Sequence, residues 1–163
     1  MTDEFLLPSG HSSAFLPEGA PLRRLPRAPG RSRPADFVRD KFEGRALVYD
    51  AFWHEDGRRI LLVGPPPLNL APELKRARYF ALPSGAELMA RTFKSLSTMI
   101  TALAGAPDGT HAVEMRLGSE KFELAVQPNS SRALAGRRLL FTMSLENELG
   151  WIREWAHYHA RVQ

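Results

Sequence analysis

The chain has 163 residues, of which 44% are hydrophobic and 25% charged, as is typical of a globular protein with a buried core. It contains no cysteine, which excludes disulfides, thiolate nucleophiles and cysteine zinc ligands. The formal net charge is +4, and no apolar run approaches the roughly 18–20 residues that cross a bilayer. We therefore expect a cytoplasmic protein, with peripheral membrane contact through its basic part as an open alternative.

Proline recurs through residues 1–40, from Pro8 to Pro34, and arginines lie between the prolines. Because proline fixes φ and removes a backbone donor, we expect neither a helix nor a central strand here. Residues 1–40 are therefore predicted to form a mostly disordered Pro/Arg-rich arm. A nucleic acid is an unlikely partner, because the arm lacks interleaved aromatic residues and any recognisable binding motif.

Residues 41–136 are predicted to form a β-rich accessory domain. Residues 46–53 and 58–63 are rich in β-formers and flank a charged turn, which predicts a hairpin. Residues 111–117 and 121–127 alternate between apolar and polar side chains, which predicts a second hairpin with one buried face.

Residues 87–103 carry two conflicting patterns. Apolar residues recur at spacings of three and four, the period of a helix, at Met89, Phe93, Leu96, Ile100 and Leu103. Gly105 and Pro107 then supply the stop signals expected after a helix, whereas several β-branched residues within the segment favour a strand. We predict a helix here, and a third strand over residues 74–82.

Residues 137–163 are predicted to be the opening βα unit of an α/β domain. The apolar run at residues 139–143 suits a strand buried on both faces. Asn147 is a good N-cap, and Glu148 places negative charge where the helix dipole favours it. The apolar side of the helix is formed by Leu149, Ile152, Trp155, Ala156 and His159.

Residues 141–148 read Phe-Thr-Met-Ser-Leu-Glu-Asn-Glu, and the helix then carries Glu154-Trp155 and Tyr158-His159. This pattern resembles the opening of GT-A glycosyltransferases of the family 2 and family 92 type. The resemblance implies that the chain is the N-terminal fragment of an enzyme that transfers a sugar from a nucleotide-sugar donor to a glycan or lipid acceptor. The expected fold class is α+β: a hairpin-rich domain of antiparallel strands with one helix, followed by the first strand and helix of the GT-A domain.

By the same resemblance, Ser144, Glu146, Asn147 and Glu148 occupy the edge of a nucleotide-sugar pocket, although helix capping alone also explains these residues. Glu146 departs from the family pattern, which usually has a basic or aromatic residue there. The complete enzyme is expected to use Mg²⁺ or Mn²⁺ held by an Asp-x-Asp pair. This chain contains no Asp-x-Asp, so we predict no catalytic or metal-binding residue within it and no transferase activity for the chain by itself.

A second hypothesis from the residues is a non-enzymatic β-rich module that binds a partner or a polysaccharide. The two hypotheses differ in the role of residues 137–163. These residues open a catalytic domain in the first hypothesis and simply complete a binding module in the second.

Overall fold

The computed structural model describes residues 12–26, 42–95, 97–130, 132–133, 135–136 and 148–161, except for the side chain of Ser95. The chain divides into two compact units, residues 1–129 and residues 130–163. We call the described part of the first unit the β unit. The strand predicted at residues 139–143 lies outside the described residues.

The β unit is built almost entirely from short strands. Its strands are β1 (Ala14–Phe15), β2 (Ala46–Val48), β3 (Asp50–Trp53), β4 (Arg59–Gly64), β5 (Arg78–Leu82), β6 (Glu87–Ser95), β7 (Thr98–Ala104), β8 (Ala112–Leu117) and β9 (Glu120–Ala125). A single 3-10 turn at Leu68–Leu70 leads into a short helix, α1 (Ala71–Lys75).

Seven of these strands form one antiparallel sheet in the order β3-β4-β7-β6-β5-β8-β9. The sheet curls until β3 meets the chain just after β9. The Trp53 N–H donates to the Gln127 carbonyl at 2.9 Å, and the Gln127 N–H donates to the Ala51 carbonyl at 2.8 Å. The sheet is thus nearly closed, and β1 and β2 form a small separate antiparallel pair.

The core comes from alternate positions along the strands, because successive side chains in a strand point to opposite faces. Leu47, Ile60, Leu103, Met115 and Leu124 are each no more than 1% exposed. The resulting cluster includes residues from every one of these strands of the β unit. Burial of so much apolar surface is the main source of stability for a sheet of this kind.

The second predicted hairpin is confirmed, and the first is confirmed from Asp50 onward, whereas Ala46–Val48 form β2 and pair with β1 instead. β3 and β4 pair with Trp53 opposite Ile60, and β8 and β9 pair with Leu117 opposite Glu120. The second hairpin turns at Gly118, whose φ of 60° is readily adopted by glycine. Alternate residues along β8 are buried, as the sequence predicted.

The helix predicted over residues 87–103 is wrong, because these residues form the hairpin of β6 and β7. Thr92 lies opposite Thr101, and Ser95 lies opposite Thr98. The helical stripe would have buried Met89, yet this side chain is 73% exposed. The β-branched residues and the long-range pairing of β7 with β4 outweigh the apolar spacing.

The disordered arm predicted for residues 1–40 is wrong for residues 12–26, which form β1 and then contact β2. Arg24 is only 5% exposed. Its guanidinium donates to the carbonyls of Ala46 at 2.9 Å, Pro66 at 3.4 Å and Glu43. A disordered arm would leave this arginine in solvent, whereas in the fold it donates several hydrogen bonds to backbone carbonyls. Residues 1–11 and 27–41 lie outside the described residues.

The predicted third strand begins later than expected, at Arg78 rather than at Leu74. Pro72 lies in the first turn of α1, where proline is well tolerated, and Leu74 is buried within that helix. The Ala77 N–H still donates to the Leu74 carbonyl at 3.3 Å, so the chain becomes extended only at Arg78.

In the second unit, the described residues include helix α2 (Leu149–Arg161). Its predicted apolar side is largely confirmed, since Ile152, Trp155, Ala156 and His159 are partly buried while Leu149 is 69% exposed. The described residues therefore form a mostly β protein with two short helices, broadly α+β as expected. No helix among them has the length and apolar character needed to cross a bilayer.

Candidate functional site

Of the four predicted pocket residues, the structure describes only Glu148. Ser144, Glu146 and Asn147 lie outside the described residues. The Glu148 carbonyl accepts the N–H groups of Trp151 at 3.1 Å and Ile152 at 3.3 Å, which starts α2. The Glu148 residue is exposed, so its backbone serves the helix while its side chain is open to solvent.

The residues of α2 that carry the resemblance contact one another on the helix. The rings of Trp155 and His159 have centroids 4.9 Å apart, and those of Tyr158 and His159 are 5.2 Å apart and nearly perpendicular. Positions four apart lie on one side of a helix, which explains the first contact. Tyr158 is 61% exposed, so this aromatic cluster has a solvent-facing edge.

The β unit contains a groove that sequence reasoning missed. It has a volume of about 430 Å³ and lies between α1 and strand β6. The groove exists because β5 starts only at Arg78: beyond the pair of Tyr79 with Leu88, β6 has no neighbour on that side among the described residues. The apolar part of its lining includes Leu74, Ala77 and Met99.

The floor of the groove carries a row of three hydroxyl groups. Tyr79 hydrogen-bonds to Thr101, and the Oγ1 atoms of Thr101 and Thr92 are 3.2 Å apart. Burial raises the pKa of Tyr79 from 10.0 to about 12, although its hydrogen bond with Thr101 opposes that rise. Tyr79 is therefore a neutral phenol at physiological pH, and the row offers hydrogen bonds rather than a base.

The rim of the groove is basic. Lys75, Arg91 and Lys94 line it, and no described acidic residue does. A second cleft of about 380 Å³ shares Pro67 and Lys94 with it. The two clefts therefore form adjoining depressions on one side of the β unit.

The second cleft is shaped by the segment between β4 and α1. The Asn69 side chain accepts the Leu25 N–H at 2.7 Å and donates to the Arg23 carbonyl at 2.9 Å. Leu68, which lines this cleft, has a φ of 53°, a left-handed conformation that costs a leucine free energy. This wall of the cleft therefore includes a residue in an unfavourable backbone conformation.

The charged turn of the first hairpin is structural. Asp56 accepts the Arg58 N–H at 2.9 Å and the Arg59 guanidinium, and it lies 3.1 Å from the His54 ring nitrogen. The Arg58 hydrogen bond, followed by those from Arg59 and His54, holds the pKa of Asp56 well below its usual range. These contacts close the turn, and we assign them no chemistry.

No protein-family model, curated protein or solved structure matches the chain. Any functional conclusion must therefore come from its own residues. Within the described ranges, no three His, Asp or Glu side chains come together as a candidate metal site.

Proposed function

We propose that the chain is the N-terminal part of a nucleotide-sugar-dependent glycosyltransferase, with residues 137–163 opening the catalytic domain. The observation that carries the proposal is the arrangement of α2. Trp155 and His159 lie on its less exposed side and contact each other, while Glu154 is exposed. A Glu-Trp pair followed by Tyr-His in this register is the part of the pattern that resembles GT-A enzymes.

The division of the chain also supports the proposal. The closed hydrogen bonding of the β unit ends at Gln127 and Asn129, and a separate unit follows from Ser130. An accessory domain that ends before a catalytic domain begins would have its boundary in such a place. In the proposed enzyme the β unit is this accessory domain.

The residues described do not fit the metal that such an enzyme would use. The described chain brings no three candidate ligand side chains together, and the sequence has no Asp-x-Asp. We therefore assign no metal-dependent step to these residues. The role proposed for Ser144, Glu146, Asn147 and Glu148 is limited to the edge of the nucleotide pocket.

The first test is to express the reading frame that contains this chain together with the sequence encoded after Gln163. Release of nucleoside diphosphate from UDP-sugars and GDP-sugars is then measured with Mg²⁺ or Mn²⁺. We expect turnover by the longer protein and none by the 163-residue chain, which is the matched control. A stop codon directly after Gln163, or turnover by the short chain, would contradict the proposal.

The groove favours a second candidate function, a binding module. A depression of about 430 Å³ with a basic rim and a hydroxyl-lined floor is within the size range of protein binding sites. This function belongs to the β unit alone, so it is compatible with the transferase proposal and does not depend on it.

A further inference from the structure

Among the described residues, no strand pairs with the groove-facing side of β6 beyond Leu88. β6 pairs with β7 along seven residues, from Met89 to Ser95, but with β5 only at Glu87 and Leu88. An unpaired strand edge presents a row of backbone donors and acceptors that another extended chain can use.

The hydrogen-bonding pattern identifies which backbone groups point to this edge. The Ala81 N–H donates to the Ala86 carbonyl at 2.8 Å, so these residues form a hydrogen-bonded pair of β5 and β6. Hydrogen-bonded and non-hydrogen-bonded pairs alternate along an antiparallel ladder. The pair of Tyr79 with Leu88 is therefore also hydrogen-bonded, and Leu88 directs its N–H and C=O toward β5.

The same alternation continues beyond β5. Ala90, Thr92 and Lys94 direct their N–H and C=O groups to the same edge as Leu88, and the described residues supply no strand to pair with them. The side chains of Thr92 and Thr101 lie close together, as expected for a non-hydrogen-bonded pair. The backbone N–H and C=O groups of three alternate residues of β6 thus point toward the groove.

Lysine and arginine on such an edge commonly discourage strand pairing. Here the cations border the groove from two different elements, since Lys75 lies on α1 whereas Arg91 and Lys94 lie on β6, where they point to opposite faces of the strand. Apolar side chains such as Leu74 and Met99 line the same groove. An extended chain lying there would meet both positive charge and apolar surface.

From the free edge and these charges, we propose that the groove binds an acidic peptide segment of a partner protein, which adds to β6 as an extra antiparallel or parallel strand. Backbone groups of Ala90, Thr92 and Lys94 hydrogen-bond the peptide, and Lys75, Arg91 and Lys94 contact its carboxylates. This proposal names the partner of the binding module and rests on that second candidate function, not on the transferase.

The probe is a short, end-blocked, fluorescently labelled peptide in which valine alternates with glutamate. Its affinity for the full chain is measured by fluorescence anisotropy. We expect saturable binding that is at least about tenfold weaker when lysine replaces glutamate, and at least about tenfold weaker when alternate backbone nitrogens are methylated. Methylation keeps the charges and removes the backbone donors, so it separates strand addition from simple electrostatic attraction.

Two protein variants test the same edge from the other side. Thr92→Pro removes an edge donor without removing a hydrogen bond to β7, and should abolish binding. Thr92→Val removes the same side-chain hydroxyl but keeps the N–H, so it is the matched control, and it should bind at least about tenfold more tightly than Thr92→Pro. The double variant Arg91→Glu, Lys94→Glu should bind at least about tenfold more weakly, whereas Lys121→Glu, at an exposed position of β9, should bind as well as the unchanged chain.

Equal binding of the methylated peptide, or normal binding by a folded Thr92→Pro protein, would overturn strand addition while leaving the groove as a binding site. Equal binding of the lysine peptide would overturn the acidic partner. Failure of all the peptides to bind would overturn both the proposal and the binding-module candidate, and would leave the transferase proposal untouched.

Discussion

The β unit and helix α2 are stabilised in different ways. In the β unit, strands distant in sequence bury side chains such as Ile60, Leu103 and Leu124 completely. In α2, none of the described residues is buried, and its ring contacts lie within the helix itself. The comparison teaches that an apolar period agrees with the observed structure where a helix buries little, as in α2, whereas a core depends on partners distant in sequence, which is why the similar period at residues 87–103 misled.

The largest expected effect tests the core of the β unit. Leu103→Ala should lower the free energy of unfolding by about 2–5 kcal/mol, because it leaves a cavity at a side chain that is 0% exposed. Met89→Ala, on the same hairpin, should change it by less than about 0.5 kcal/mol, since Met89 is 73% exposed. Denaturant unfolding measures both. Equal decreases in the free energy of unfolding for the two variants would instead favour the helix that the sequence predicted, because both residues would lie on the same apolar side of that helix.

One substitution should have opposite effects in the two regions. A Cβ on Gly64 would collide with the Leu47 carbonyl oxygen, so Gly64→Ala should destabilise the β unit by about 1–3 kcal/mol. A Cβ on Gly150 meets no atom within 4 Å, so Gly150→Ala should stabilise α2 by about 0.5 kcal/mol through helix propensity.

Amide hydrogen exchange reports the two changes separately. Protection should fall in β4 for the first variant, and it should rise roughly twofold in α2 for the second. Destabilisation of α2 by Gly150→Ala would show that its backbone is closely packed against other atoms, and the comparison of the two regions would then fail.

A smaller effect should appear in alkaline solution. The folded β unit keeps Tyr79 protonated up to a pKa of about 12, whereas the unfolded chain releases this proton near the ordinary value of 10.0. The protonated phenol therefore adds to the free energy of unfolding in full below pH 10, and this stabilisation is lost as pH rises through 12. At pH 11 about 1.4 kcal/mol of it has been lost. Tyr79→Phe should make the decline in unfolding free energy between these pH values less steep. An unchanged slope would contradict the burial of this phenol.

Local signals predicted the parts of the fold that depend on neighbouring residues. Both hairpins follow from alternation and turn chemistry, and the apolar side of α2 follows from its period. The predictions were wrong where contacts with residues distant in sequence determine the local conformation. Residues 87–103 carry a helical spacing by coincidence, and pairing with β4 decides their conformation. Arg24 lies in a proline-rich segment, yet carbonyls more than 18 residues away along the chain bind its side chain.

The groove was beyond sequence reasoning for the same reason. Its walls come from α1, β6 and β7, and the free edge of β6 depends on β5 starting at Arg78 rather than earlier. The one local signal was Pro72, which favours a helix start just before the strand. The role predicted for Ser144, Glu146 and Asn147 remains a prediction, because these residues lie outside the described part of the chain.

The closure of the sheet has a consequence for synthesis of the chain. Asn129 donates to the Trp53 carbonyl across 76 residues, and Gln127 bonds to the same strand. On the ribosome, β3 emerges early, but the segment that covers its outer edge is made only after all the other strands of the sheet. The outer edge of β3 therefore stays unpaired until the intervening strands have formed. Contacts between residues so distant in sequence also slow folding. Release of the segment ending at Asn129 is thus the event that allows the sheet to close.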